Sequence, residues 1–268
     1  MTWFLDIFQY DFIMRAIVSG VFIATACATL GIFLVLRNLS LISDGLSHIG
    51  FGTIAIGLFL GIAPPYFSLP LLIIASLLIM RLKEQGTTSG DAAIGIISAV
   101  GIASGIVFAK LNRGINIDVV GYLFGNILTI TPLEMWLSIF LSLAIMAVVY
   151  FFYWDFFATT FDNIYARAIG IRTIFINRLL MVLTAMLVVL SIRLVGSLLV
   201  SALIIFPAIT ALRISKRFKS ALFISLAIAI ISVICGMGLA FLLNLPSGAM
   251  IVITNSIFFL ASLFYKKT

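Results

Sequence analysis

Nine apolar runs, at 12–36, 41–63, 66–80, 91–109, 133–154, 179–193, 195–212, 220–243 and 247–265, leave little of this chain for anything else. A helix needs about 20 apolar residues to cross roughly 30 Å of hydrocarbon, and several runs meet that length. Pro64, Pro65, Pro132 and Pro246 sit at run boundaries, where helix interruption is expected. Pro207 lies inside a run and predicts a kink. A weaker stretch, 115–131, is broken by Gly121, Gly125 and Asn126 and reads as a half-helix packed inside a bundle. The fold class expected is all-α integral membrane: a polytopic bundle of about eight to ten transmembrane helices, in one domain covering 1–268.

Composition removes the alternatives. Charged residues make up 9% of the chain, against roughly 25% in a soluble domain. Apolar residues make up 63% and mean hydropathy is +1.31. So few charges cannot cover so large a core in water, which excludes a soluble enzyme, a nucleic-acid-binding domain and a disordered chain. The net charge of +7 reads as positive-inside bias. Cys27 and Cys235 lie within apolar runs and read as small core residues. Asp6 and Asp11 stand where a cleavable signal would carry Lys or Arg, so no secretory signal is expected.

The basic residues divide 12 against 4 between the two sides in either of two topologies. With nine spans the N-terminus lies outside and Arg37, Arg81 and Lys83 face in. With ten, 115–131 crosses, the N-terminus lies inside, and Arg15, Lys110 and Arg113 face in. Both place Arg167, Arg172, Arg178, Arg213, Lys216, Arg217, Lys219, Lys266 and Lys267 in the cytoplasm. The loop at 155–178 is the longest polar-interrupted connection. Its Ala-Arg-Ala-Ile pattern before Gly170 predicts a short surface helix with Gly170 just past its end. Such a helix either lies on lipid or docks a cytoplasmic partner.

Asp44 and His48 are the most informative residues. His48 is the chain's single histidine, and the pair lies within an apolar run at i, i+4 spacing, on one face of a helix. Ionisable groups in hydrocarbon cost several kcal/mol unless paired or facing water. Three compensations are open: a structural pair, a proton relay, or binding of a divalent transition metal. Carboxylate plus imidazole suits Zn²⁺ or Mn²⁺. One chain supplies too few ligands, but a two-fold homodimer would supply four. Gly45, Gly50, Gly52 and Gly57 would allow close approach at such an axis. Asp91 reads as a helix N-cap, Asp118 and Glu134 as residues flanking the weak segment, and Arg193 as either snorkelling or paired with an acid. There is no P-loop, no H-E-x-x-H and no G-x-S-x-G, so no ATPase site or catalytic residue is expected.

Five segments in collinear order carry a resemblance. Ser43-Asp44-Gly45-Leu46-Ser47-His48 is similar to the D-A-L-S-H signature of permeases of the zinc/manganese class of bacterial ATP-binding-cassette importers. Asp91-Ala92-Ala93-Ile94-Gly95, Gly121 to Leu128, Phe161-Asp162 with Ala166 to Gly170, and Val195 to Ala208 resemble further segments of that family. The resemblance implies a fold like that of the vitamin B12 and siderophore importer permeases, an N-terminus inside, and 115–131 as a short inserted helix. It implies a homodimer in the bacterial cell membrane with two cytoplasmic ATPase subunits and an extracytoplasmic metal-binding protein. Transported Zn²⁺ is expected at Asp44 and His48, with Mn²⁺ or iron as the alternative cargo, and no permanently bound cofactor. Phe161, Asp162, Ala166, Arg167 and Gly170 would couple the chain to the ATPase. The chain departs from the family at Gly45 and Ile49, where Ala is common, and at Asn126, where Asp is usual. A non-transporting scaffold is the alternative from another class.

Overall fold

The computed structural model describes residues 11–85, 90–111, 119–125, 130–197 and 199–264. Among these residues all regular structure is helical: α1 (Asp11–Leu36), α2 (Ser40–Phe59), α3 (Pro64–Gln85), α4 (Gly90–Leu111), α5 (Val119–Phe124), α6 (Pro132–Phe151), α7 (Tyr153–Phe161), α8 (Asn163–Ala168), α9 (Thr173–Val195), α10 (Val200–Ile214), α11 (Phe218–Leu243) and α12 (Ser247–Leu263). Seven are long and apolar enough to cross a membrane, namely α1, α2, α3, α4, α6, α9 and α11. The shorter apolar α10 and α12 run with them.

Contacts between helix ends decide the topology that charge counting leaves tied. At one end, Arg37 after α1 bonds Thr160 of α7 and Asn177 of α9. Arg178 pairs with Glu84 near the end of α3 at 3.4 Å, and Phe33 of α1 packs tilted against Phe218 at the start of α11. Arg213 near the end of α10 reaches the Ser262 carbonyl near the end of α12. The basic residues of these helix ends and loops therefore share one face of the bundle, which is the cytoplasmic one. Arg15, Lys110 and Arg193 lie toward the other end. α1 therefore starts outside, and among the described residues the seven long helices alternate in direction with the shorter α10 and α12.

This puts Asp11, the first described residue, on the outer side, where the resemblance implies an inside N-terminus; residues 1–10 lie outside the described residues. The physical reason is α5. Its six residues rise only about 9 Å, and Gly125 behind it lies against Val195 and Gly196 at the outer end of α9. Among the described residues, α5 and Gly125 thus lie on one side of the bundle, and α5 does not cross it.

The prolines act as expected at the boundaries. Pro132 opens α6 behind a capping box in which Thr131 and Glu134 bond reciprocally, and Pro246 caps α12. Pro207 and Pro70 sit inside α10 and α3. The core is built around α1 and α9, whose long buried stretches include Ile23, Leu30, Phe33, Leu180, Leu187 and Leu194. Cys27 is buried, but Cys235 is exposed on α11, so only the first is a core residue.

Candidate functional site

α2 carries the candidate pair because its two faces differ. One face meets α4 at a close parallel crossing: a Cβ on Gly52 would collide with the Gly101 carbonyl, and one on Gly101 would lie 2.7 Å from the Ile49 Cα. Gly45 faces Ile94, Gly50 faces Ile192 and Gly57 faces Phe67. The glycines around the pair are therefore used in ordinary small-residue packing inside the chain, the other reading open to them besides a dimer axis. Small residues in a helix face permit this backbone approach without a driving hydrophobic force. α2 also carries a stripe of Leu41, Asp44 and His48 at helical spacing. Leu41 is exposed, and the Asp44 and His48 side chains are 44% and 17% exposed. Among the described residues, Leu41 and Asp44 are the more exposed members of this stripe and His48 the more covered one.

Within the stripe, His48 Nε2 lies 3.5 Å from Asp44 Oδ2. The other carboxylate oxygen, Oδ1, accepts a hydrogen bond from the Ser201 hydroxyl at 3.2 Å. Ser201 stands in the first turn of α10. That helix has 15 residues, about 22 Å, too short for the full hydrocarbon thickness. The turn at Gly196 and Ser197 lets it begin at membrane depth: Gly196 has φ +88° and Ser197 donates its amide to the Tyr122 carbonyl at 2.9 Å. Irregular backbone at that depth is tolerated because it is buried in protein. The sequence reading missed Ser201. It occupies a variable position of the 195–208 segment, and no pattern joins it to a residue 157 positions away. Among the described residues, no three His, Cys, Asp or Glu side chains converge as a metal site within this chain.

The 155–178 loop holds two short helices where one was expected. Asp162 ends α7 and caps α8, its Oδ1 accepting from the Ile164 and Tyr165 amides at 2.9 Å each. α8 ends as predicted: Gly170 has φ +90°, its amide bonds the Arg167 carbonyl, and the Ile171 amide bonds the Ala166 carbonyl. Ala166 is buried, and Arg167 Nε donates to Thr173 Oγ1 at 2.9 Å, closing the loop on α9. Phe161, Ile164, Tyr165 and Ile169 are exposed together at the cytoplasmic end. Apolar side chains grouped on a surface mark an interaction face.

At the outer end, Arg193 pairs with Glu134 at 2.9 Å and lies over the Tyr122 ring at 5.0 Å. This answers the choice left open for Arg193 in favour of an acidic partner. Asp91 lies in the first turn of α4, while Asp118 and Asn126 lie outside the described residues.

Residues 9–266 match the ABC 3 transport family. The chain belongs to that family. Its ScaB relative from Streptococcus gordonii, named a manganese import system permease protein, is 30% identical over 96% of this chain and 92% of its own length. A chain of the PsaBC complex from Streptococcus pneumoniae, solved with a Fab, superposes with a TM-score of 0.90 at 29% identity, covering 99% of this chain and 96% of that one. A metal-chelate type ABC transporter in an inward-facing conformation shares the fold, with a TM-score of 0.73 at 16% identity over 94% of this chain and 85% of that one. The family expected from the five motifs is thus the family found, and the chain is a multi-pass membrane protein of it.

Proposed function

We propose that the chain is the permease subunit of an ATP-driven importer of a divalent transition metal, working as a homodimer by alternating access. The observation that carries this is the Asp44–His48 pair: an acid and an imidazole in a membrane helix, the acid bonded by Ser201 and half exposed, the imidazole partly exposed beside it. A second copy facing it would double the donors to two carboxylates and two imidazoles. That N/O set at four-coordination suits Zn²⁺, the cargo favoured here. The second reading is Mn²⁺, supported by the names of relatives such as ScaB. Iron fits the same donors less specifically.

In this reading an extracytoplasmic binding protein delivers the ion to the outer face. Two cytoplasmic ATPase subunits dock on the exposed apolar face of α7 and α8 and supply the energy, since the sequence has no P-loop. Cargo identity is tested by uptake of labelled Zn²⁺ and Mn²⁺ in competition, in cells carrying this chain as the sole importer of its class. Zn²⁺ uptake resistant to excess Mn²⁺ supports the zinc reading, and the reverse pattern replaces it with manganese.

Two predictions follow from the contacts. Ser201→Ala removes the bond that orients Asp44 but no donor to the ion. Half-saturation for the metal is expected to rise about tenfold, within the range for second-layer partners of ligands, with maximal uptake retained. An unchanged half-saturation would show that Ser201 does not orient the carboxylate. In the docking segment, Gly170→Pro cannot adopt φ +90°, and Arg167→Glu loses the bond to Thr173. Both are expected to leave ATP hydrolysis running while metal uptake falls about tenfold or more. Normal uptake per ATP in both variants would remove the docking role.

A further inference from the structure

Arg37 stands where three parts of the chain meet. Its Nε donates to Thr160 Oγ1 at 2.8 Å, its Nη1 to Asn177 Oδ1 at 2.7 Å and its Nη2 to the Phe156 carbonyl at 3.0 Å. Nη2 also donates to Thr159 Oγ1. These four bonds go to neutral acceptors on α7 and α9. Burial pushes the guanidinium down to about 10, which leaves it cationic at neutral pH. The Phe156 ring lies 5.9 Å from the guanidinium carbon and packs tilted against the ring of Phe33 of α1, centroids 5.5 Å apart. A cation beside the C-terminal half of α7 is also favoured by that helix's dipole.

On its other side Arg37 belongs to a stiff turn. The Leu39 amide bonds the Leu34 carbonyl at 2.8 Å and the Asn38 amide bonds the Val35 carbonyl at 3.1 Å, with Asn38 at φ +54°. This is a double-bonded helix ending, and α2 starts directly behind it at Ser40. Asp44 follows one turn later. Arg37 therefore fastens the base of α2 to the last turns of α7, whose far end is capped into α8 by Asp162.

We infer that Arg37 is the positioning residue through which movement of the α7–α8 segment reaches the helix that carries Asp44 and His48. The inference rests on the reading of α7 and α8 as the docking segment. A guanidinium bound to four acceptors transmits displacement in more than one direction. A lysine ammonium there would keep the charge and lose the planar fork.

The test uses the complete importer, permease with its ATPase and binding protein, reconstituted in liposomes, with Zn²⁺ and Mn²⁺ as probes. Arg37→Lys is expected to keep the assembled complex and its basal ATPase rate. The number of ions carried per ATP is expected to fall about tenfold, with the half-saturation for metal unchanged. Thr160→Val removes a single acceptor and is expected to lower the same ratio about two- to threefold. The double variant is expected to be no worse than Arg37→Lys alone, because both act through one connection. An unchanged ratio in Arg37→Lys overturns the inference. So does a loss of assembled complex that accounts for the whole defect, or a changed half-saturation at constant ratio. Gly170→Pro and Arg167→Glu measured alongside separate the two readings: if both stay coupled, the docking assignment falls and takes the inference with it, whereas an unchanged ratio in Arg37→Lys with both of them uncoupled overturns the inference alone.

Discussion

Alanine at Asp44 or at His48 is expected to reduce metal uptake by about 100-fold or more, without reducing the amount of assembled complex. The size of the effect follows from the proposed symmetry: one substitution would remove a donor from both copies of the proposed two-fold site. The silence in assembly follows from position. Asp44 is half exposed and His48 partly so, and neither fills the core that α1 and α9 build. The informative variants are Asp44→Asn and His48→Gln. Each keeps a polar side chain of similar reach, able to hydrogen-bond across the same turn. If the pair were only a structural contact, these variants would transport nearly as well as the unsubstituted chain. A metal site loses charge or donor in both and is expected to stay inactive. A proton relay is told apart by its pH dependence, since it requires the imidazole to titrate during turnover. Near-normal uptake by Asp44→Asn and His48→Gln would remove the ion from this stripe altogether.

The pairing of Asp44 with His48 was legible because helical spacing alone brings i and i+4 onto one face. The ending of α8 was legible for a similar reason, since Gly170 is local punctuation. What sequence could not show were contacts made across the bundle. Ser201 meets Asp44 only because α10 begins at membrane depth, and that depends on the bend at Gly196. The Glu134–Arg193 pair joins residues near the ends of two different helices, so either residue taken alone looks like an interfacial charge.

Topology failed for a different physical reason. Moving 115–131 from outside to across exchanges three basic residues for three others, so electrostatics is indifferent between the two arrangements. The tie is broken by Arg37, whose hydrogen bonds to α7 and α9 can form only if α1 ends on the cytoplasmic side. The glycines near the pair were visible as a cluster, but a small residue shows only that something approaches closely. That the neighbour of Gly45 and Gly52 is α4 of the same chain became clear from Ile94, Gly101 and Gly105, the last two opposing Ile49, Phe51 and Gly52.

That crossing carries the second large prediction. A methyl group on Gly101 would meet the Ile49 Cα at 2.7 Å and the His48 carbonyl oxygen at 2.9 Å, and both are backbone atoms that cannot rotate away. Relief requires α4 to move off α2 along its length, since Gly52 and Gly105 face the same seam. Gly101→Ala is therefore expected to destabilise the chain by about 1–3 kcal/mol, the range for overpacking a tight contact. Gly101→Leu is expected to abolish assembly. Gly95, on the same helix, has no neighbour within 4 Å of its Cβ position. Gly95→Ala should stabilise by about 0.5–1 kcal/mol, because it reduces backbone freedom in a helix and meets nothing. The measurement is the fraction of detergent-solubilised protein that stays monodisperse after heating, compared between the two alanine variants. If they behave alike, the α2–α4 seam is not the constraint. If they diverge in opposite directions, close backbone contact at Gly101 is what holds α4 against the helix bearing the acid and the imidazole.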